Sequence, residues 1–424
     1  MSEASYDNRS RWRHAVLSLI AIFSLTLVIS ALSLKFLPSA FIWIDLTWAV
    51  ALVAALYCWP SPWPRGSSLY LQGTLWRSMV FSVSVMLVTL AAAEWFFSRR
   101  ERFFLPASFD VPFYLRDDAL GTVPPKGVKV RATSKSYDVT YTIDANGLRV
   151  APPERQKESV GCILFFGDST MFGHGLEDNQ TLPYQVGIQS GGRYRIFNFA
   201  FEGYGPHQML SAIESGRVSR IVDCQPKYAI YLAITDHVRR VTGKIPYGKH
   251  SPRYVLNPEG TVRRDGDFET KEQPTSGFRA ELRQQLEKSA IYRLWSTSRG
   301  PLVSAADIDL MLAIVRQSRD LLRAEYPGIQ FHVILGVPVK GTDREIYSDL
   351  VEGFGEMGVH FEQEKDMLPE LVSNPRKYAL SAYDRHPNAL ADHLLAAYVV
   401  AHFLSEETQA VGTHAESLDR RNPD

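Results

Sequence analysis

Cysteine is scarce in this chain of 424 residues: Cys58, Cys162 and Cys224 are the only three, and no two stand close together in sequence. Such spacing excludes the paired thiolates of a zinc ribbon and the dense framework of a disulfide-stapled scaffold. All three read as small buried hydrophobes, the usual fate of free cysteine. Charge of one sign is lacking as well, since 46 Lys and Arg balance 46 Asp and Glu. No basic excess argues for nucleic acid, and no acidic excess argues for a solvating chain. Internal repeats, a phosphate-binding glycine loop and a metal-ligand cluster are also missing. Neither a cofactor nor a metal is expected.

Long apolar runs, by contrast, are plentiful near the front. Ala15–Leu34, Ala40–Trp59 and Leu75–Phe97 are almost unbroken hydrophobic sequence. At ~1.5 Å per helical residue each is long enough to cross a ~30 Å hydrocarbon core. A cleaved signal peptide could also begin with the first run, but no small-residue cleavage site follows and two further runs do. Tryptophan and phenylalanine gather where the runs end, at Trp43, Trp59, Trp63, Trp76, Trp95 and Phe97, as for rings seated at headgroup level. Three membrane helices over residues 1–104 are therefore expected, with the lipid bilayer as a partner. Arg9, Arg11, Arg13, Arg65 and Arg77 stand against Lys35, Arg99, Arg100 and Arg102. The balance favours a cytoplasmic amino terminus and, after three crossings, an extracytoplasmic carboxyl domain.

Past Arg102 the composition becomes that of a soluble domain. Residues 105–159 alternate with period two over Val128–Arg131 and Tyr137–Ile143, followed by an Asn146-Gly147 turn signal. They predict a small β layer bracing the domain against its anchor. From residue 160 to 404 apolar runs at Ile163–Phe166, Arg195–Phe199, Tyr228–Ile234 and Gln330–Val337 alternate with helix-length stretches such as Ala306–Glu325 and Asn388–Leu404. Alternation of this kind predicts an α/β fold with a mostly parallel sheet covered on both faces. An insertion spans about residues 241–301, with a hairpin around Asn257-Pro258-Glu259-Gly260 and a helix over Phe278–Thr297. It leaves the sheet at the edge where ligands collect, as a lid, a wall or a peripheral decoration. The polar tail over 405–424 predicts disorder.

The first of these strands runs into an abrupt polar trio, "ILFFGDSTMFGHG" from Ile163 to Gly175. Asp168 and Ser169 are good residues for a helix amino terminus. They also fall at the carboxyl end of a strand, where parallel sheets bind ligands. Far along the chain, "YDRHPN" sets Asp384 two residues before His386, with Pro387 placed to start the last helix. An imidazole oriented by a carboxylate can take a serine proton and later return it.

These blocks, with "NFAFEGYG" between them, resemble the SGNH, or GDSL-type, hydrolases over roughly Val160 to Leu404. The resemblance implies a flavodoxin-like three-layer fold and a serine esterase. In it Ser169 is the nucleophile and its N–H an oxyanion donor, Gly203 close to Asn198 supplies a second N–H, His386 is the base and Asp384 its orienting partner. A third block normally carries an oxyanion Asn. Here "AITDH" places Thr235 at that position, and its hydroxyl can donate one hydrogen bond. Asp168, Asn198, Asp236, His237 and Arg239 are candidate substrate-binding residues, the last two with Arg240 alternatively forming a solvated helix start. The expected substrates are O-acyl groups of an envelope or exported polysaccharide, or a lipid ester. Hydrolysis and acyl transfer both fit, with envelope biosynthesis proteins as possible partners. A catalytically silent scaffold of a surface-polymer assembly is the alternative.

Overall fold

The computed structural model describes residues 107–152, 160–245, 247–271, 303–338, 343–382 and 384–404. It also describes a helix over 89–98 and the single positions 82, 86, 286, 289 and 292. The chain divides into one unit of residues 1–102 with 282–295 and a second of 103–281 with 296–424. In the first unit Ser289 Oγ donates to Glu94 Oε2 at 2.8 Å. Among the described residues no helix is long and apolar enough to cross a membrane. The expected spans at Ala15–Leu34 and Ala40–Trp59, most of the third, most of the helix over Phe278–Thr297 and the tail lie outside the described residues.

The second unit is built on five parallel strands, β6 (Gly161–Phe166), β7 (Tyr194–Asn198), β8 (Pro226–Ala233), β11 (Gln330–Leu335) and β12 (His360–Gln363). Their order is β12-β11-β8-β6-β7, the doubly wound 2-1-3-4-5 arrangement whose switch point lies beside the first strand. All six residues of β6 are buried, as the central strand of a sheet covered on both faces requires. Four of the five strands stand where apolar runs predict them. The edge strand β12, His-Phe-Glu-Gln, has no fully buried residue and leaves no such run.

Seven helices matter here: α1 (Ser169–Phe172), α2 (Leu182–Gln189), α3 (Pro206–Glu214), α4 (Asp236–Val241), α5 (Ala305–Glu325), α6 (Arg344–Glu356) and α7 (Ala389–His402). Helix α2 packs against α7, while α5 packs against α3, α4 and α6. With right-handed crossovers, the reversal of direction after β7 puts these two groups on opposite faces. The last helix opens with Asn388 as its cap, the side chain accepting from Ala391 N at 3.1 Å. Pro387 therefore precedes the cap, pairing with Ala379 in an isolated bridge, rather than occupying the first helical position.

Ahead of the sheet, β1 (Ser108–Phe109), β4 (Val128–Thr133) and β5 (Asp138–Ile143) form an antiparallel layer, beside a β2 (Leu115–Asp117) and β3 (Gly121–Val123) ribbon. Arg149 bridges both Ile143 and Asn198, tying the layer to the sheet edge. Tyr141 Oη accepts from Gly175 N at 2.8 Å, and Glu177 accepts from Thr140 N. Within this unit the layer thus supports the loop after Ser169, a role beyond the expected brace. The hairpin of β9 (Pro252–Leu256) and β10 (Val262–Asp267) turns through Asn257–Thr261.

One reading is overturned. Cys162 and Cys224 are joined in a disulfide, their Cα atoms 6.2 Å apart. Cys162 lies on β6 and Cys224 just ahead of β8, its neighbour in the sheet. The separation of 62 residues hides the pair from any argument based on close spacing.

Candidate active site

Strand β6 ends at Phe166 and the chain turns tightly into α1. A Cβ on Gly167 would lie 2.7 Å from the Met171 Cβ, so only glycine fits the turn. Asp168 caps the helix, its Oδ1 accepting from Thr170 N at 2.9 Å. The capping role of the trio therefore falls to Asp168 and not to Ser169. Ser169 is left as the first helical residue, with Oγ 2.8 Å from His386 Nε2. His386 Nδ1 is 2.7 Å from Asp384 Oδ1, which also accepts the His386 N–H.

Burial pushes the Asp384 carboxyl up, but the His386 hydrogen bond and charge outweigh it and hold the group below its ordinary range. An ionised Asp384 only accepts, so His386 Nδ1 carries the ring proton and Nε2 accepts from the Ser169 hydroxyl. Burial works against the His386 imidazolium, yet the Asp384 bond and charge, aided by Asp168 and Glu202, raise its pKa above the usual histidine value. Neither the Ser169 nor the Gly203 N–H has an acceptor among the described residues. The first N–H of a helix is an orphan donor by geometry. Gly203 takes a φ of 79° that favours glycine.

A second layer lies behind these groups. His174 Nδ1 is 2.6 Å from Glu202 Oε1, its Nε2 is 2.9 Å from Tyr137 Oη, and its ring lies tilted against His386 with centroids 4.3 Å apart. Tyr114 Oη donates to the other Glu202 oxygen. Arg149, fully buried, donates to the carbonyls of Phe172, Gly173 and Leu176 and pairs with Asp178 at 3.2 Å. Its guanidinium lies 4.2 Å from the Tyr141 ring centroid. Arg149 thereby fixes the loop that carries His174. Sequence reasoning singled out none of these residues, although His174 and Glu202 stand inside the quoted "FGHG" and "NFAFEGYG" blocks.

The remaining candidates form a buried charge network. Asp168 Oδ2 accepts from Arg240 Nη1 at 2.9 Å, and Arg240 also donates to Tyr204 O, which ties the Gly203 loop to the Asp168–Ser169 turn. Burial would raise the Asp168 carboxyl, but Arg240 and His237 hold it far below its ordinary range. His237 Nδ1 meets Tyr231 Oη at 2.6 Å, with Nε2 3.5 Å from Asp168. Arg239 donates to both oxygens of Asp343, at 2.7 and 3.2 Å. Thr235 Oγ1 donates to Asp343 Oδ2 at 3.1 Å. Its one hydroxyl hydrogen is thus directed away from an oxyanion, a correction to the expected donor role. Asn198 is buried with Nδ2 on Met171 O and Oδ1 accepting from Ala200 N. Asp168, Asn198, His237 and Arg239 are all buried against protein partners, so none forms a solvated helix start or an open substrate contact. Asp236 alone stays partly exposed, paired with Arg239 and Arg240.

His174, Asp384 and His386 bring one ligand atom each within 4.8 Å of one another. Those groups are engaged in the hydrogen bonds and ring contact above, so a metal there would compete with them.

No family profile matches the chain, and neither does any curated protein. Among solved structures, a candidate GDSL-like lipase from Parabacteroides merdae superposes with a TM-score of 0.33 at 10% identity, covering 59% of this chain and 98% of that one. An acetyl xylan esterase from the rumen bacterium Butyrivibrio proteoclasticus gives 0.32 at 12%, covering 62% and 67%. A carbohydrate esterase family 2 enzyme with a carbohydrate-binding domain, from Corynascus thermopiles (Myceliophthora fergusii), gives 0.31 at 12%, covering 64% and 72%.

Proposed function

We propose that this chain is a membrane-anchored serine esterase or O-acyltransferase that works through an acyl-enzyme. The observation that carries the reading is the unbroken line from Ser169 Oγ through His386 to Asp384, at 2.8 and 2.7 Å. Ser169 Oγ attacks the ester carbonyl carbon while its proton passes to His386 Nε2. The N–H groups of Ser169 and Gly203 are the donors available to the resulting oxyanion. Collapse expels the alcohol, which takes the proton from His386 and leaves Ser169 acylated. Water or a sugar hydroxyl then gives its proton to His386 and attacks the acyl carbon, and the bond to Ser169 Oγ breaks as His386 returns that proton to the serine. The flanking arginines and the Cys162–Cys224 bond favour an oxidising, extracytoplasmic side. O-acyl groups of an envelope or exported polysaccharide are the substrates suited to that location, with a lipid ester next.

A silent scaffold is favoured by one observation, the engagement of Thr235 with Asp343 where a third oxyanion donor is expected. A fluorophosphonate probe on the full chain in detergent decides between the two. Stoichiometric labelling lost in Ser169→Ala, with ester turnover lost in parallel, is the expected result. No labelling of the folded wild type establishes the scaffold.

A further inference from the structure

Asp384 spends Oδ1 on the ring and backbone of His386, and its Oδ2 faces His174 Nε2 at 3.8 Å. The same His174 ring lies against His386, with centroids 4.3 Å apart and planes 35° from parallel. It therefore borders both the base and the base's orienting carboxylate. What fixes His174 is Glu202, at 2.6 Å from Nδ1. Glu202 is ionised, since the His174 and Tyr114 bonds outweigh the effect of its burial and hold its carboxyl low. An ionised carboxylate only accepts, so His174 Nδ1 donates to Glu202, while Nε2 lies 2.9 Å from the Tyr137 hydroxyl. One carboxylate thus sets the tautomer and tilt of one histidine, which sits against another histidine set by another carboxylate.

We propose that Glu202 and His174 form a second carboxylate–histidine pair that positions the first, holding Asp384 and His386 in line with Ser169. The proposal rests on the esterase reading and assigns these two as positioning residues. A negative Glu202 behind the two adjoining rings also favours the imidazolium that His386 becomes when it takes the serine proton. The charged and titratable groups that face the pair are Asp384, His386, Tyr114, Tyr137 and Tyr141, with Arg149 behind them and Asp168 across from His386.

The test uses the full chain in detergent with p-nitrophenyl acetate, comparing wild type, Ser169→Ala, His174→Phe and Glu202→Gln. His174→Phe keeps an aromatic ring against His386 and removes both polar contacts. It is expected to lower kcat by on the order of tenfold to a hundredfold with KM within about twofold, the mark of lost alignment. Glu202→Gln keeps the shape and removes the charge. Its kcat/KM profile is expected to have an acid limb roughly 0.5 to 1 pH unit lower than wild type, because His386 loses a charge that favours its protonated form. Wild-type kcat and an unmoved limb in both variants overturn the proposal. A rate loss that follows only the folded fraction, with the limb fixed, also overturns it and leaves a packing role. If the wild type shows no Ser169-dependent turnover, the esterase reading itself has failed, which is a separate outcome.

Discussion

A threonine hydroxyl has one hydrogen to give, and Thr235 gives it to a carboxylate already held by Arg239. Replacing it with valine keeps the volume and leaves Asp343 paired with that guanidinium. Thr235→Val is therefore expected to cost about 1 kcal/mol of stability, one modest hydrogen bond, and to leave ester turnover unchanged. Urea unfolding and steady-state kinetics on the same preparation check this, and a hundredfold loss of kcat would return Thr235 to the oxyanion. Ser169, Asp384 and His386 were legible because each stands in a short block whose neighbours carry the pattern. The settings of Arg240 and Arg239 were not, because their carboxylates, Asp168 and Asp343, lie 72 and 104 residues away. A run such as Asp236–Arg240 looks solvent-facing until those partners arrive. Arg149 was hidden in the same way, since its acceptors are mostly backbone carbonyls that leave no trace in residue identity.

At the scale of elements, apolar runs located the buried strands well and the polar edge strand β12 not at all. Contacts between elements hold a further group that no local pattern marks. Asp392 on α7 is buried and accepts from Leu182 N, at the start of α2, at 2.8 Å. Burial, with Glu364 adding its charge, outweighs that bond and leaves the carboxyl pushed up to about 8. An unfolded aspartate ionises near about pH 4. Between those values the unfolded chain has released a proton that the native chain still holds, so stability falls as pH rises across the window. Asp392→Asn cannot ionise and is free of this decline. Its melting temperature relative to wild type is expected to climb steadily from pH 4 to pH 8, whereas a constant difference would show that Asp392 is not protonated in the fold.

On the scale of the whole molecule, the apolar segments and the disulfide bear independently on the same question. The proposed three crossings, with a cytoplasmic amino terminus, would deliver the carboxyl domain to the far side of the membrane. A bond between Cys162 and Cys224 persists where thiols are not kept reduced. Both fit the proposed extracytoplasmic location, and each can be measured without the other. A reporter fused after Phe104 is expected to be active only on the extracytoplasmic side. Alkylation of unreduced protein, followed by mass spectrometry, is expected to leave Cys162 and Cys224 unmodified until reductant is added. With the two cysteines at a sequence separation of 62, closing that loop in the unfolded chain contributes about 4 kcal/mol in the chain-entropy account. Cys224→Ser should accordingly lower the midpoint of unfolding by a margin that reductant reproduces in the wild type. A cytoplasmic reporter together with freely alkylated cysteines would place the domain inside the cell and shift the substrate from exported polysaccharide to lipid or intracellular esters.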